Sequence, residues 1–145
     1  VGLLERGANV NYYSASGKNP LLCAAKTGDI ELAERLIEYG ADMYISVRDG
    51  WPPVFTAAAN GHLTFVKWLL DSGCDINTRH PATGNTFLIF AAGLNNRDLV
   101  TELLARRANV HAVNQKGENA LVFARQFASK AIIRQIEQQL NAGAM

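Results

Sequence analysis

Few side chains in this chain have the means to ligate a metal or attack a bond, and their placement argues against both. His62, His80 and His111 stand on three separate turns, whereas a metal site needs about three or four converging ligands. His80 and His111 are expected to be solvated. Cys23 falls inside an apolar run and Cys74 at a small-residue position. Both read as free thiols packed like small apolar groups, a usage that suits a reducing compartment, cytosol or nucleus. There is no GxGxxG, no Walker A sequence, no CxxC and no HExxH. Ser14, Ser16, Ser46, Ser72 and Ser129 have no evident His or Asp partners. No cofactor, metal or catalytic residue is expected, and the chemistry that remains is recognition. Arg48 and Trp51 lie three residues apart and are of the types that dominate binding hot spots. Trp51 otherwise stacks on Pro52 and Pro53 and stiffens a turn. Tyr12, Tyr13 and Tyr44 extend the aromatic set along the chain.

These residues are positioned by a repeat. Gly17, Gly50, Gly84 and Gly117 open four similar stretches at intervals of 33, 34 and 33 residues, and a fixed period in that range means stacked supersecondary units. Eleven residues after each opening glycine comes Gly28, Gly61, Asn95 or Ala128, a break between two short apolar-periodic runs. The second run places Leu32, Ala33, Leu36 and Ile37 on one helix face, and later copies do the same with Phe65, Val66, Leu69, Leu70 and with Leu99, Val100, Leu103, Leu104. Paired alanines in the first run let two helices approach closely. Each unit therefore reads as helix, tight turn, helix, and an extended finger leading to the next glycine. Trp68 is equivalent to Arg35, Glu102 and Gln135, which places it on an outer, exposed face.

The copies GKNPLLCAAKTGDIELAERLIEYGADMY, GWPPVFTAAANGHLTFVKWLLDSGCDIN, GNTFLIFAAGLNNRDLVTELLARRANVH and GENALVFARQFASKAIIRQIEQQLNAG resemble ankyrin repeats. The likeness rests on Ala24-Ala25, Ala57-Ala58 and Ala91-Ala92, on Gly61-His62, and on the tails Gly40-Ala41-Asp42 and Gly73-Cys74-Asp75-Ile76-Asn77. It implies an all-α repeat solenoid, a curved stack of helix-turn-helix units with β-hairpin-like fingers. A single domain is expected over 1–145: a half repeat at 1–16, repeats at 17–49, 50–83 and 84–116, and a capping repeat at 117–145. The last helix carries the polar outer face of a cap. The N-terminal edge lacks one, so further repeats or an exposed apolar edge are expected there.

Departures from the family pattern carry their own expectations. The Thr-Pro-Leu-His motif is incomplete in every copy and its histidine is always apolar, which predicts turns held more by packing than by hydrogen bonds. Arg107 stands where Gly40 and Gly73 end their helices, so a retained left-handed turn is strained there by roughly 1–2 kcal/mol. The extra residue in Thr78-Arg79-His80-Pro81-Ala82-Thr83 predicts a bulged or lengthened finger. His62 takes the family's Gly-His turn position.

Function follows from surfaces. The resemblance implies partner-contacting positions beside each opening glycine and at the end of each first helix. On that basis, and from the aromatic stripe, the candidate binding residues are Tyr12, Tyr13, Lys18, Arg48, Asp49, Trp51, Asn60, Asn85, Leu94, Lys116 and Glu118. Leu70, Asp75, Ile76 and Asn77 are similar to the leucine, acid, aliphatic, asparagine pattern of finger hydroxylation, making Asn77 a candidate acceptor. Fourteen Lys and Arg against thirteen Asp and Glu give no field to draw nucleic acid or a membrane surface. Charge is uneven all the same: residues 17–49 hold four bases and six acids, residues 84–116 four bases and two acids. No membrane span and no secretory signal is visible. The expectation is an intracellular, non-catalytic module, monomeric, that binds a partner protein through its concave finger and first-helix face. Two alternatives are a targeting arm of a larger enzyme or effector whose catalytic domain is absent here, and a structural spacer or a unit self-associating through its N-terminal edge.

Overall fold

A computed structural model of the chain describes residues 19–44 and 51–142. The chain divides into two compact units, Val1–Cys74 and Asp75–Met145. The first contains α1 (Pro20–Thr27), α2 (Ile30–Glu38), α3 (Pro53–Ala59) and α4 (Leu63–Asp71). The second contains α5 (Phe87–Gly93), α6 (Arg97–Ala105), α7 (Ala120–Phe127) and α8 (Lys130–Ala142). Each copy of the repeat thus supplies one helix pair.

Within the first unit α1 packs on both α2 and α3, and α3 on α4. The contact is made by small side chains where first helices meet: Ala24, Ala25, Ala57 and Ala58 are all buried. Larger residues, Leu36, Phe55, Phe65 and Leu69, fill the space beyond them. Withdrawing such a side chain from water contributes about 1.5–3 kcal/mol. The second unit repeats the arrangement, α5 packing on α6 and α7, and α8 on α6 and α7. Ala91, Ala92, Ala120 and Ala124 are buried in it, as are the larger Leu99, Leu103, Ile132 and Ile136. The expected second-helix stripes hold, with Leu32, Ile37, Leu70 and Leu104 half-buried at their margins.

The turns entering the first helices use more hydrogen bonding than the expected reliance on packing. Asn19 accepts from the N–H groups of Leu21 and Leu22, Thr86 from Ile89, and Asn119 from Val122. The family's histidine is gone, but the preceding polar position caps the helix, an interaction worth about 1 kcal/mol. Pro52, which has no side-chain acceptor, caps α3 through its carbonyl alone.

Three other positions also differ. Cys74 is buried, whereas Cys23 is exposed on α1, because it faces away from the Leu21, Ala24, Ala25 side of that helix. Trp68 is half-buried rather than exposed; the ring of Phe65, three residues earlier, meets it edge-on with centroids 5.5 Å apart. His80, expected in solvent, is 7% exposed. Arg107 does occupy a left-handed turn, at φ 64°, where Gly40 and Gly73 sit at 91° and 106°.

Candidate binding face

The finger tips of the second unit are held by hydrogen bonds that the local sequence dictates. In the finger between copies two and three, His80 N–H donates to Asn85 O (2.8 Å), Phe87 N–H to Thr78 O (3.0 Å), and Arg79 bridges Thr86 in antiparallel fashion. The loop then closes through Gly84 N–H to His80 O (2.8 Å). The lengthened interval is absorbed at this tip. In the next finger Asn114 N–H donates to Glu118 O (2.9 Å) and encloses a shorter loop, Gln115-Lys116-Gly117. The two fingers lie side by side: Gln115 N–H donates to Thr83 O (3.2 Å). Arg79 ties them, its guanidinium donating to Gly84 O at 2.9 Å and Val113 O at 2.6 Å.

Asn114 organises the second tip. It is 9% exposed, and its Oδ1 accepts from the N–H groups of Lys116 (2.9 Å) and Glu118 (3.0 Å). Its Nδ2 donates to Asn85 Oδ1 at 2.8 Å and to Glu118 Oε1 at 3.1 Å. Around these groups is a pocket of about 190 Å³, lined among others by Thr83, Asn85, Gln115, Lys116, Glu118 and Phe123. Phe123 lies against Gly93, where an added Cβ would stand 3.3 Å from its ring, and its ring is 5.8 Å from that of Phe127. Phe127 is 56% exposed and Leu94 38%. These first-helix ends are apolar.

Of the residues marked from the sequence, Asn85, Lys116 and Glu118 come together in this one pocket. Leu94 is exposed at the end of α5. Trp51 is 41% exposed ahead of α3, and its carbonyl accepts from Thr56 Oγ1 at 3.4 Å. Asn60 ends α3 and turns back, its Nδ2 donating to Thr56 O at 2.8 Å. Tyr12, Tyr13, Lys18, Arg48 and Asp49 lie outside the described residues. Asn77 is exposed, and its Oδ1 accepts from Asn109 N–H at 2.9 Å, tying one finger base to the next. Asn114 and Phe123 were not marked. The signal for Asn114 was its place three residues before Gly117, an asparagine-to-glycine turn pattern; nothing in the sequence singled out Phe123.

Each histidine has its own surroundings. His62 Nε2 lies 2.9 Å from Lys26 O, and because a carbonyl only accepts, Nε2 carries the donated proton. His80 Nδ1 accepts from Ala82 N–H at 3.1 Å, and burial pushes its pKa down. His111 is exposed. Among the described residues no group of three or more His, Cys, Asp or Glu is placed to hold a metal ion. None of the described helices is long and apolar enough to cross a membrane.

A family model for ankyrin repeats in three copies matches residues 2–80 and again residues 54–141. No curated protein matches the chain. The glycine period, the helix pairs joined through buried alanines and this match over nearly the whole length agree: the chain belongs to the ankyrin-repeat family.

Proposed function

We propose that this chain is a non-catalytic module that holds a partner protein on the face made by its fingers and first-helix ends. Ankyrin repeats generally serve as protein–protein interaction modules, which supports the class; the choice of face rests on one observation. Asn85, Lys116 and Glu118, from two different copies, line a single pocket beside exposed Leu94 and Phe127. A recess with converging polar groups and an apolar wall, next to exposed aromatic and aliphatic groups, is the composition of a binding patch. The recess is braced by main-chain and amide bonds, so little ordering is needed when a partner docks, and preorganisation of that kind favours affinity. Trp51, exposed ahead of α3, and Arg48 extend the reading to the first unit. Both cysteines are free thiols, which suits a reducing compartment.

The test is a crosslinking pulldown with wild type, the pair Arg48→Ala and Trp51→Ala, and the pair Leu94→Ala and Phe127→Ala. Partner protein should be captured by wild type and lost by at least one pair, with crosslinks on finger residues. A partner retained in full by both pairs, with crosslinks on the second helices, assigns binding to the other face.

A further inference from the structure

The donor and acceptor pattern of the finger pocket identifies the kind of segment it takes. Glu118 can only accept, so the Asn114 atom that meets it is the amide nitrogen. That same nitrogen meets Asn85, which must therefore present its oxygen inward. Two consequences follow for what faces the pocket. Asn85 directs its Nδ2, a donor, outward. Glu118 directs its Oε2, a charged acceptor, outward. Neither atom has a partner among the described residues. Asn114, bonded to both side chains, thus ties one donor and one acceptor from neighbouring fingers to the same amide.

We propose that this pair clamps one residue of an extended peptide strand of the partner by its main chain, the residue's C=O accepting from Asn85 and its N–H donating to Glu118. In an extended strand the N–H and C=O of one residue point to the same side, and so match a donor and an acceptor set side by side. Phe123 lines the same pocket and gives an apolar wall to a flanking side chain. A nucleobase edge also pairs a donor with an acceptor, but charge favours peptide. The net charge is +1, and the pocket sets the Glu118 carboxylate against any phosphate beside Lys116. This inference rests on the interaction-module reading and names the class of segment its pocket takes.

Random linear peptides displayed on phage are selected against the wild-type chain, and the best is resynthesised with each backbone amide N-methylated in turn. Asn85→Asp and Glu118→Gln keep the oxygen that Asn114 needs while reversing the group that faces outward. Methylation of one amide should weaken binding about tenfold or more, as should each variant, the cost of a lost bond to a charged or fixed group. In Glu118→Gln that methyl group should have little further effect, because both changes remove the same bond. Undiminished binding by both variants, no single sensitive amide, or no selected peptide overturns the clamp. If the clamp fails while Leu94→Ala and Phe127→Ala still weaken the selected peptide, the binding face stands. If those bind it undiminished too, that face fails as well. An adenine-rich single-stranded oligonucleotide that binds, and is lost in both variants, replaces the peptide with a nucleobase and overturns the proposal.

Discussion

The two finger tips of the second unit put different residues at the same structural place. His80 and Asn114 each donate a main-chain N–H to the carbonyl that follows the loop, and each accepts, through its side chain, from the N–H two residues on. Both are nearly buried. They differ in what else the side chain does. Asn114 has an amide nitrogen to spare and uses it on Asn85 and Glu118, so its loop is joined to the neighbouring finger. His80 accepts with Nδ1 only while the ring is neutral, so the bond from Ala82 is lost when the ring takes a proton. One tip is a hub that fixes neighbouring side chains; the other is a clasp sensitive to pH. The same fold position therefore supplies either orientation of a binding pocket or a titratable closure, depending on a single residue.

The hub predicts the largest effect. Asn114→Ala removes the acceptor of two main-chain N–H groups and the donor to Asn85 and Glu118, and should destabilise the chain by about 2–3 kcal/mol in a urea titration. A loss under about 0.5 kcal/mol would show that water replaces those bonds freely, and would break the contrast between the tips. The clasp predicts the next effect. Burial lowers the pKa of His80, so the unfolded chain binds the proton more readily than the folded one. Stability from this group is full above the ordinary imidazole value of about 6.5 and falls as pH falls through the lower folded value. His80→Asn installs the residue of the other tip, which accepts at any pH. Thermal melts from pH 7.5 to 5 should lose part of their pH dependence in that variant; an unchanged profile assigns the dependence to other groups.

What was legible in the sequence was what the period controls. The glycine spacing marks the helix pairs, the alanine pairs mark the close contacts, and alignment of the copies puts Arg107 in a left-handed turn, where it is found. Asn85, Lys116 and Glu118 could be marked because each stands beside an opening glycine. Their convergence could not, since it depends on how one finger leans on the next through Gln115 and Arg79. Nor could the outward donor of Asn85 be read, because the buried bond from Asn114 sets it. The interval of 34 residues announced a longer tip but gave no sign that the added loop would cover the His80 ring. The caps show the same limit. Losing the motif histidine looked like losing a hydrogen bond, yet Asn19, Thr86 and Asn119 already supplied one.

A second pair of equivalent residues sharpens the rule that a side chain is worth more when it reaches a neighbouring copy. Asn95, at φ 56°, occupies the left-handed position that Gly61 holds in the copy before it. Its Oδ1 accepts from Ser129 N–H at 2.9 Å, linking copies three and four. Asparagine tolerates that conformation better than most residues. Asn95→Gly therefore relieves little and loses the link, and should cost about 1 kcal/mol in the same titration. A gain in stability would mean that the link contributes nothing.

Arg107, the other left-handed non-glycine residue among those described, gives the smallest effect and the opposite sign. Its main chain closes the turn, Arg107 N–H donating to Leu104 O and Ala108 N–H to Leu103 O, both at 3.0 Å. Its side chain is exposed and hydrogen-bonds no described residue, so removing it forfeits no tie between copies. Glycine relieves roughly 1–2 kcal/mol of backbone strain at φ 64°, offset by about 0.5–1 kcal/mol of added freedom in the unfolded chain. Arg107→Gly should thus gain about 0.5 kcal/mol and raise the melting temperature by about 1–2 degrees. A fall comparable to that of Asn95→Gly would show that the guanidinium holds something in solution, and would place Arg107 among the residues that join the copies.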